Sequence, residues 1–188
     1  MTKTYREVDY PAELAKKFGI GTEDFIRTNR QNTAMARLCL GKLCEKEVSE
    51  IIVSQNPGAK HIDSADFVTE NYAPDSKILE RLATIRSRGL VKLALVSNIF
   101  PASIQYLHEH GVLEYFDRTF FSCEIGDKKP NASYFSTVLN DCDVEPEATL
   151  FLDDTSENVA AAQRLNIPSR LITESRQVYE ILDGFANG

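Results

Sequence analysis

The feature that most constrains this chain is a change of period near residue 75. Downstream of it, short apolar runs recur: Leu93-Ala94-Leu95-Val96, Thr119-Phe120-Phe121-Ser122, Thr149-Leu150-Phe151-Leu152 and Ser169-Arg170-Leu171-Ile172. A run that is apolar without alternation suits a strand covered on both faces, as in parallel sheets. Helix-period stretches separate these runs, at 76–88, 101–111, 132–139, 156–165 and 176–182. The first of them puts Ile78, Leu79, Leu82 and Ile85 on one face and stops at Gly89. Strand–helix alternation at this spacing predicts a doubly wound parallel sheet, a Rossmann-like α/β core over 75–183.

Upstream, residues 11–74 contain no strand-like run. Pro11 to Phe18, closed by Gly19, has proline early and glycine late, as a helix prefers. Thr22 is an N-cap candidate followed by Glu23 and Asp24. Ala34–Leu43 and Glu45–Val53 continue the helical texture, Gln55-Asn56-Pro57-Gly58 breaks it, and Asp66–Tyr72 is a last short helical candidate. A small α-helical module over 11–74 joined to the core is therefore expected, and 188 residues suffice for both.

Charge narrows the partners. There are 21 Lys and Arg against 28 Asp and Glu, a net charge of −7. Nucleic acid and anionic lipid both demand a basic face, so neither is an expected partner. No apolar run approaches the length of a membrane span, and Met1–Tyr10 has no apolar segment of a secretory leader. Cys39, Cys44, Cys123 and Cys142 form no C-x-x-C pair, and His61, His108 and His110 complete no zinc pattern. They read as reduced, mostly buried thiols of a cytoplasmic protein.

In a doubly wound sheet, ligands bind beyond the carboxyl ends of the strands. The first run ends in Ser97-Asn98, a hydroxyl and an amide that either cap the next helix or hold an oxyanion with its N–H groups. The second leads to Asp127-Lys128-Lys129-Pro130, where proline keeps the lysine extended and able to reach across the strand ends. The third ends in Asp153-Asp154, followed by Thr155-Ser156-Glu157-Asn158. Adjacent carboxylates repel unless a cation neutralises them; Mg²⁺ is the natural one, although either Asp could instead cap the next helix.

The order strand-Ser-Asn, Lys-Pro, strand-Asp-Asp-x-x-x-Asn resembles the haloacid dehalogenase-like (HAD) hydrolase superfamily, in the branch with a helical cap near the N-terminus. The resemblance runs from about residue 11 to the end. It implies a HAD-like core under a small cap. Ser97 and Asn98 would bind phosphate, Lys129 would steady the nucleophile and the transferring phosphoryl group, and Asp154 would ligate Mg²⁺ with Asp153 beside it. The implied substrate is a small phosphorylated metabolite, and the implied reaction a Mg²⁺-dependent phosphomonoester hydrolysis rather than carbon–halogen cleavage.

The family's first motif, an apolar strand ending in Asp-x-Asp, has no counterpart here. Glu7-Val8-Asp9 follows a prefix too polar for a central strand, so Glu7 and Asp9 read as surface residues. Without the attacking Asp, losses on the order of 10⁴–10⁶ in rate are expected. Mg²⁺ binding would weaken, since two ligands go with that motif. Either the neighbouring strands close the central position, or residues 2–9 fill it, or a partner such as a second copy supplies it, or the chain is a shortened form of a longer protein. A non-hydrolytic protein that binds a phosphorylated or anionic ligand is the alternative function. A third is a different reaction in the cleft, with Asp75, Glu124, Asp127 and His61 as acid–base candidates.

Overall fold

The computed structural model of the chain describes residues 9–68 and 74–187. Helices come first: α1 (Tyr10–Phe18), α2 (Thr22–Asn32), α3 (Ala34–Leu38) and α4 (Glu45–Gln55). Asp9 caps α1 by accepting from Ala12 N at 3.2 Å and is exposed, as its polar surroundings predict. Glu7 lies outside the described residues. Gly19, at φ 74°, ends α1 in the left-handed conformation that glycine adopts without steric cost.

Two of the expected helices are shorter than their patterns. The third stops at Leu38, and residues 39–44 turn toward the core. The Asp66–Tyr72 candidate is instead one 3-10 turn, Ser64–Phe67, with the part beyond Val68 outside the described residues. Lys17 Nζ donates to the carbonyls of Asp66 and Val68.

The remaining elements alternate: α5 (Ser76–Arg88), β1 (Ala94–Ser97), α6 (Pro101–Glu109), β2 (Arg118–Phe121), α7 (Ser122–Ile125), α8 (Ala132–Cys142), β3 (Phe151–Asp153), α9 (Ser156–Arg164), β4 (Ser169–Leu171) and α10 (Ser175–Asn187). Only α7, a single turn, has no counterpart in the pattern. All strand pairs are parallel, Val96 lying opposite Phe120 and Leu152 opposite Arg170.

The sheet differs from one continuous ladder. β1 pairs with β2 and β3 with β4, but among the described residues β1 and β3 do not pair. Leu93 O faces β2, where Arg118 N donates to it; by ladder alternation Val96 faces away from β2. Likewise Phe151 N and Asp153 O engage the β4 side, which turns Leu152 away from β4. The neighbouring strands have not closed ranks.

Three apolar clusters hold these elements. Phe135, Ala161, Ala162 and Ile167 join α8 to α9, and Leu82, Ile85, Leu182 and Ala186 join α5 to α10. The helical layer is built on Leu14, Phe18, Phe25, Leu38, Val48, Ile52 and Phe67, and it also takes in Phe100 and Ala102 from the loop after β1 and the start of α6. A cleft of about 560 Å³, bounded by Leu150 and Leu171 on one side and Ile181 and Phe185 on the other, separates α10 from β3 and β4.

Candidate functional site

Two strand ends and the loop after α7 supply the site, and the lysine of that loop draws them together. Ser97 closes β1 and is half-buried. Asn98 and Lys129 form a reciprocal pair: Asn98 Nδ2 donates to Lys129 O at 2.9 Å, and Lys129 N donates to Asn98 Oδ1 at 3.0 Å. This double bond fixes the lysine loop against the end of β1. Lys129 Nζ then donates to Val96 O at 2.9 Å and to Asp153 Oδ2 at 2.6 Å, 5.4 Å from the centre of the Phe151 ring. The ammonium thus bridges β1 and β3, which no backbone ladder joins among the described residues.

The Lys129–Asp153 pair is buried, at 9% and 5% side-chain exposure. Such a pair persists only when its remaining polar atoms are also satisfied. Asp153 Oδ1 accepts from Thr155 N at 2.8 Å and Asn158 Nδ2 at 3.1 Å. Asp154, the next residue, is half-buried and accepts from Thr155 Oγ1 at 3.2 Å. The two carboxylates therefore differ in kind: Asp153 is committed to the lysine and to the entrance of α9, and Asp154 is the more accessible.

A family model described as haloacid dehalogenase-like hydrolase matches residues 2–166. The chain belongs to this hydrolase family. It is similar to the sesquiterpene phosphatase astK of Aspergillus oryzae, 29% identical over 120 residues, which is 63% of this chain and 61% of that protein. The chain thus spans about three-fifths of that relative's length. Among solved structures, the HAD family enzyme BT-2542 of Bacteroides thetaiotaomicron superposes with a TM-score of 0.72 at 18% identity, over 95% of this chain and 92% of that one. A structure of that enzyme contains magnesium and inorganic phosphate. A HAD-like hydrolase from Porphyromonas gingivalis superposes with a TM-score of 0.70 at 24% identity, over 90% and 89% of the two chains. At these identities the structural likenesses establish the fold.

Within the HAD fold two of the other candidates, Asp75 and Asp127, have structural work. Asp75 caps α5, accepting from Lys77 N at 3.0 Å, and takes the Tyr179 hydroxyl on its other oxygen at 2.5 Å. His61 is exposed, with Nδ1 3.5 Å from Ser49 Oγ. Glu124 is exposed on α7. All four cysteines are free, but Cys44 is exposed and the others only half-buried, less buried than expected. Burial nevertheless pushes the Cys123 thiol up to about 11, where a thiolate nucleophile is scarce.

Asp127 shapes the lysine loop. It accepts from its neighbour Lys128 N, from Asn131 Nδ2 and from Ser133 Oγ. The Ser133 hydroxyl first, then the Asn131 amide, hold its carboxyl below the ordinary 3.8. A carboxyl lowered in the folded state stabilises above its unfolded value, and that contribution is lost as pH falls through the folded one. The 127–131 turn should therefore loosen below about pH 3.8, seen as faster exchange of its amides. Asp127→Asn should leave the turn loose at neutral pH and remove this acid step.

Asn158 has a place in the motif by spacing, but its role emerges only from the geometry. As the third residue of α9 it folds back onto the Asp153 carboxylate, and it is buried. Glu45, buried against the first turn of α6, has no sequence signal at all, because its partner is a backbone N–H 57 residues away.

Proposed function

We propose that the chain carries a phosphatase-type site that acts on the phosphomonoester of a small molecule. The observation that supports this reading is the lysine whose ammonium bonds Val96 O beside Ser97 and the Asp153 carboxylate, and so ties the ends of β1 and β3. An ammonium has three donors, and two are spent on Val96 O and Asp153. The third, with Ser97 Oγ and the Asn98 backbone N–H, would bind phosphate. Charge-assisted donors fixed before the substrate arrives are what phosphoryl transfer requires.

Mg²⁺ fits the donor set here in part. Among the described residues no group of three acidic, His or Cys side chains converges, so the ion would rest on Asp154 with Asp153 beside it and complete its shell with water. When bound, it would neutralise phosphate charge. Asp153, whose oxygens already carry three hydrogen bonds, is the weaker ligand of the two.

A second reading has its own support: Asp153 is committed to Lys129, Thr155 N and Asn158 Nδ2 rather than left to a metal. The site would then hold a phosphorylated or anionic ligand without cleaving it. p-Nitrophenyl phosphate with Mg²⁺ separates the two. The phosphatase reading expects phosphate release above buffer that requires the metal. The binding reading expects no release, but stabilisation by inorganic phosphate of about 2.7 kcal/mol at a hundredfold excess over Kd. Neither release nor stabilisation would refute both.

A further inference from the structure

Glu45 is buried to 5% exposure, although it is the first residue of α4 and belongs to the helical layer rather than to the core. Its Oε1 accepts from Ala102 N, in the first turn of α6, at 2.7 Å. α6 has no side-chain cap from its own N-cap residue, Phe100. A carboxylate from another layer thus caps the helix that follows the Ser97-Asn98 loop. It also occupies the α6 N–H group that, on sequence, was available to an anion.

The segment between Ser97 and Ala102 is pinned at each step. Asn98 pairs with Lys129. Ile99 donates to Ser122 Oγ at 2.9 Å and accepts from it at 3.1 Å. Phe100 enters the helical cluster, with ring centres 6.3 Å from both Tyr10 and Phe67. Ala102 meets Glu45. The same loop that leads into α4 rests on the core a second time: Gly41, at φ 65°, comes so close to Cys123 that a Cβ there would fall 2.1 Å from its carbonyl oxygen. Only glycine permits that approach.

We propose that Glu45 is a positioning residue that latches the cap to the core. Its carboxylate couples the seat of the helical layer to the 97–102 segment, and so to the placement of Ser97 and Asn98. A cap that lifts must break this bond and strip a buried carboxylate of its partner, which makes the docked arrangement the strongly favoured one. The effect on the anion site rests on the phosphatase-type reading; the coupling of the two layers does not.

Residue-resolved amide exchange on the whole chain tests it, with Glu45→Ala, Glu45→Asp and Glu45→Gln. Loss of a charge-assisted bond should speed exchange at Ala102 N–H by about tenfold or more. Ile99 N–H should follow, because the segment moves as one, while α9 amides stay at their original rates. Glu45→Asp, one methylene short, should behave like Glu45→Ala. Glu45→Gln keeps an acceptor oxygen in place and should stay within about threefold of the unsubstituted protein. Inorganic phosphate, titrated with Mg²⁺, should bind several-fold more weakly to the Ala and Asp variants than to Gln. An unchanged Ala102 rate in Glu45→Ala overturns the latch. Faster exchange at Ala102 alone, with Ile99 and phosphate affinity unmoved, reduces Glu45 to a helix cap and overturns the coupling. If Glu45→Ala does not fold, Glu45→Asp decides. If no variant, nor the original protein, binds phosphate, the phosphatase-type reading fails while the exchange comparison still judges the latch.

Discussion

Replacing Lys129 with Met should cost about 3–5 kcal/mol of folding stability, the range for removing one member of a buried ion pair. The reason lies in what remains. Asp153 would keep its bonds to Thr155 N and Asn158 Nδ2 but lose the cation that it bonds among the described residues, in surroundings 5% exposed. Val96 O would lose its donor at the same time, and with it the link between the β1–β2 and β3–β4 pairs. Urea unfolding followed by circular dichroism measures the cost. The double variant Lys129→Met with Asp153→Asn should recover part of it, because no unpaired charge is then left inside and the amide oxygen can still accept from Thr155 N and Asn158 Nδ2. A cost under about 1 kcal/mol for the single variant would mean that water enters between β1 and β3 and screens the pair as at a surface. The Phe151 ring, 5.4 Å from the ammonium, cannot replace it as a partner for Asp153.

The core was legible because its strands are apolar throughout and its helices have a clear face. The runs at 93–96, 119–122, 149–152 and 169–172 correspond to β1–β4 within a residue or two. Ser97, Lys129 and Asp153 were legible for a related reason: each polar residue stands where an apolar strand stops or where a proline holds the backbone extended. Local pattern carries that information. It carries nothing about which strand neighbours which, so the lack of a ladder between β1 and β3 among the described residues could be argued only from the resemblance to the family. The division of labour between Asp153 and Asp154 was equally hidden. Both are carboxylates at one strand end, and only the reach of Lys129 and Asn158 tells them apart.

The helical layer shows the opposite limit. Its apolar residues announce helices, but their lengths depend on distant partners. In the Asp66–Tyr72 pattern the described part is a 3-10 turn with Val68 extended, and Lys17, 49 residues earlier in sequence, bonds the carbonyl of Asp66. Glu45 reads as an ordinary first-turn acid, one of two in α4, and its burial follows from the approach of α6. Long-range hydrogen bonds to backbone atoms leave no residue-type signature at the receiving end.

Asp154→Asn should abolish the metal dependence while sparing the fold. The amide matches the carboxylate in shape, so packing at the entrance of α9 is retained, and Thr155 Oγ1 can still donate to the amide oxygen. Loss of one of two adjacent negative charges relieves repulsion with Asp153, so the metal-free protein should change by no more than about 0.5 kcal/mol in either direction. Mg²⁺, by contrast, loses the more accessible of the two carboxylates. Millimolar Mg²⁺ should raise the melting temperature of the original protein and leave that of Asp154→Asn unmoved. If the chain hydrolyses p-nitrophenyl phosphate, the rate should fall at least ~100-fold, the scale of a lost transition-state charge contact. Asp153→Asn is the informative companion. It breaks the pair with Lys129 and should destabilise the protein with or without metal, because Lys129 then keeps a buried charge opposite a neutral group. Equal loss of Mg²⁺ stabilisation in both variants, without the extra instability of Asp153→Asn, would show that the two carboxylates share the ion evenly and that the lysine is not held as the structure holds it.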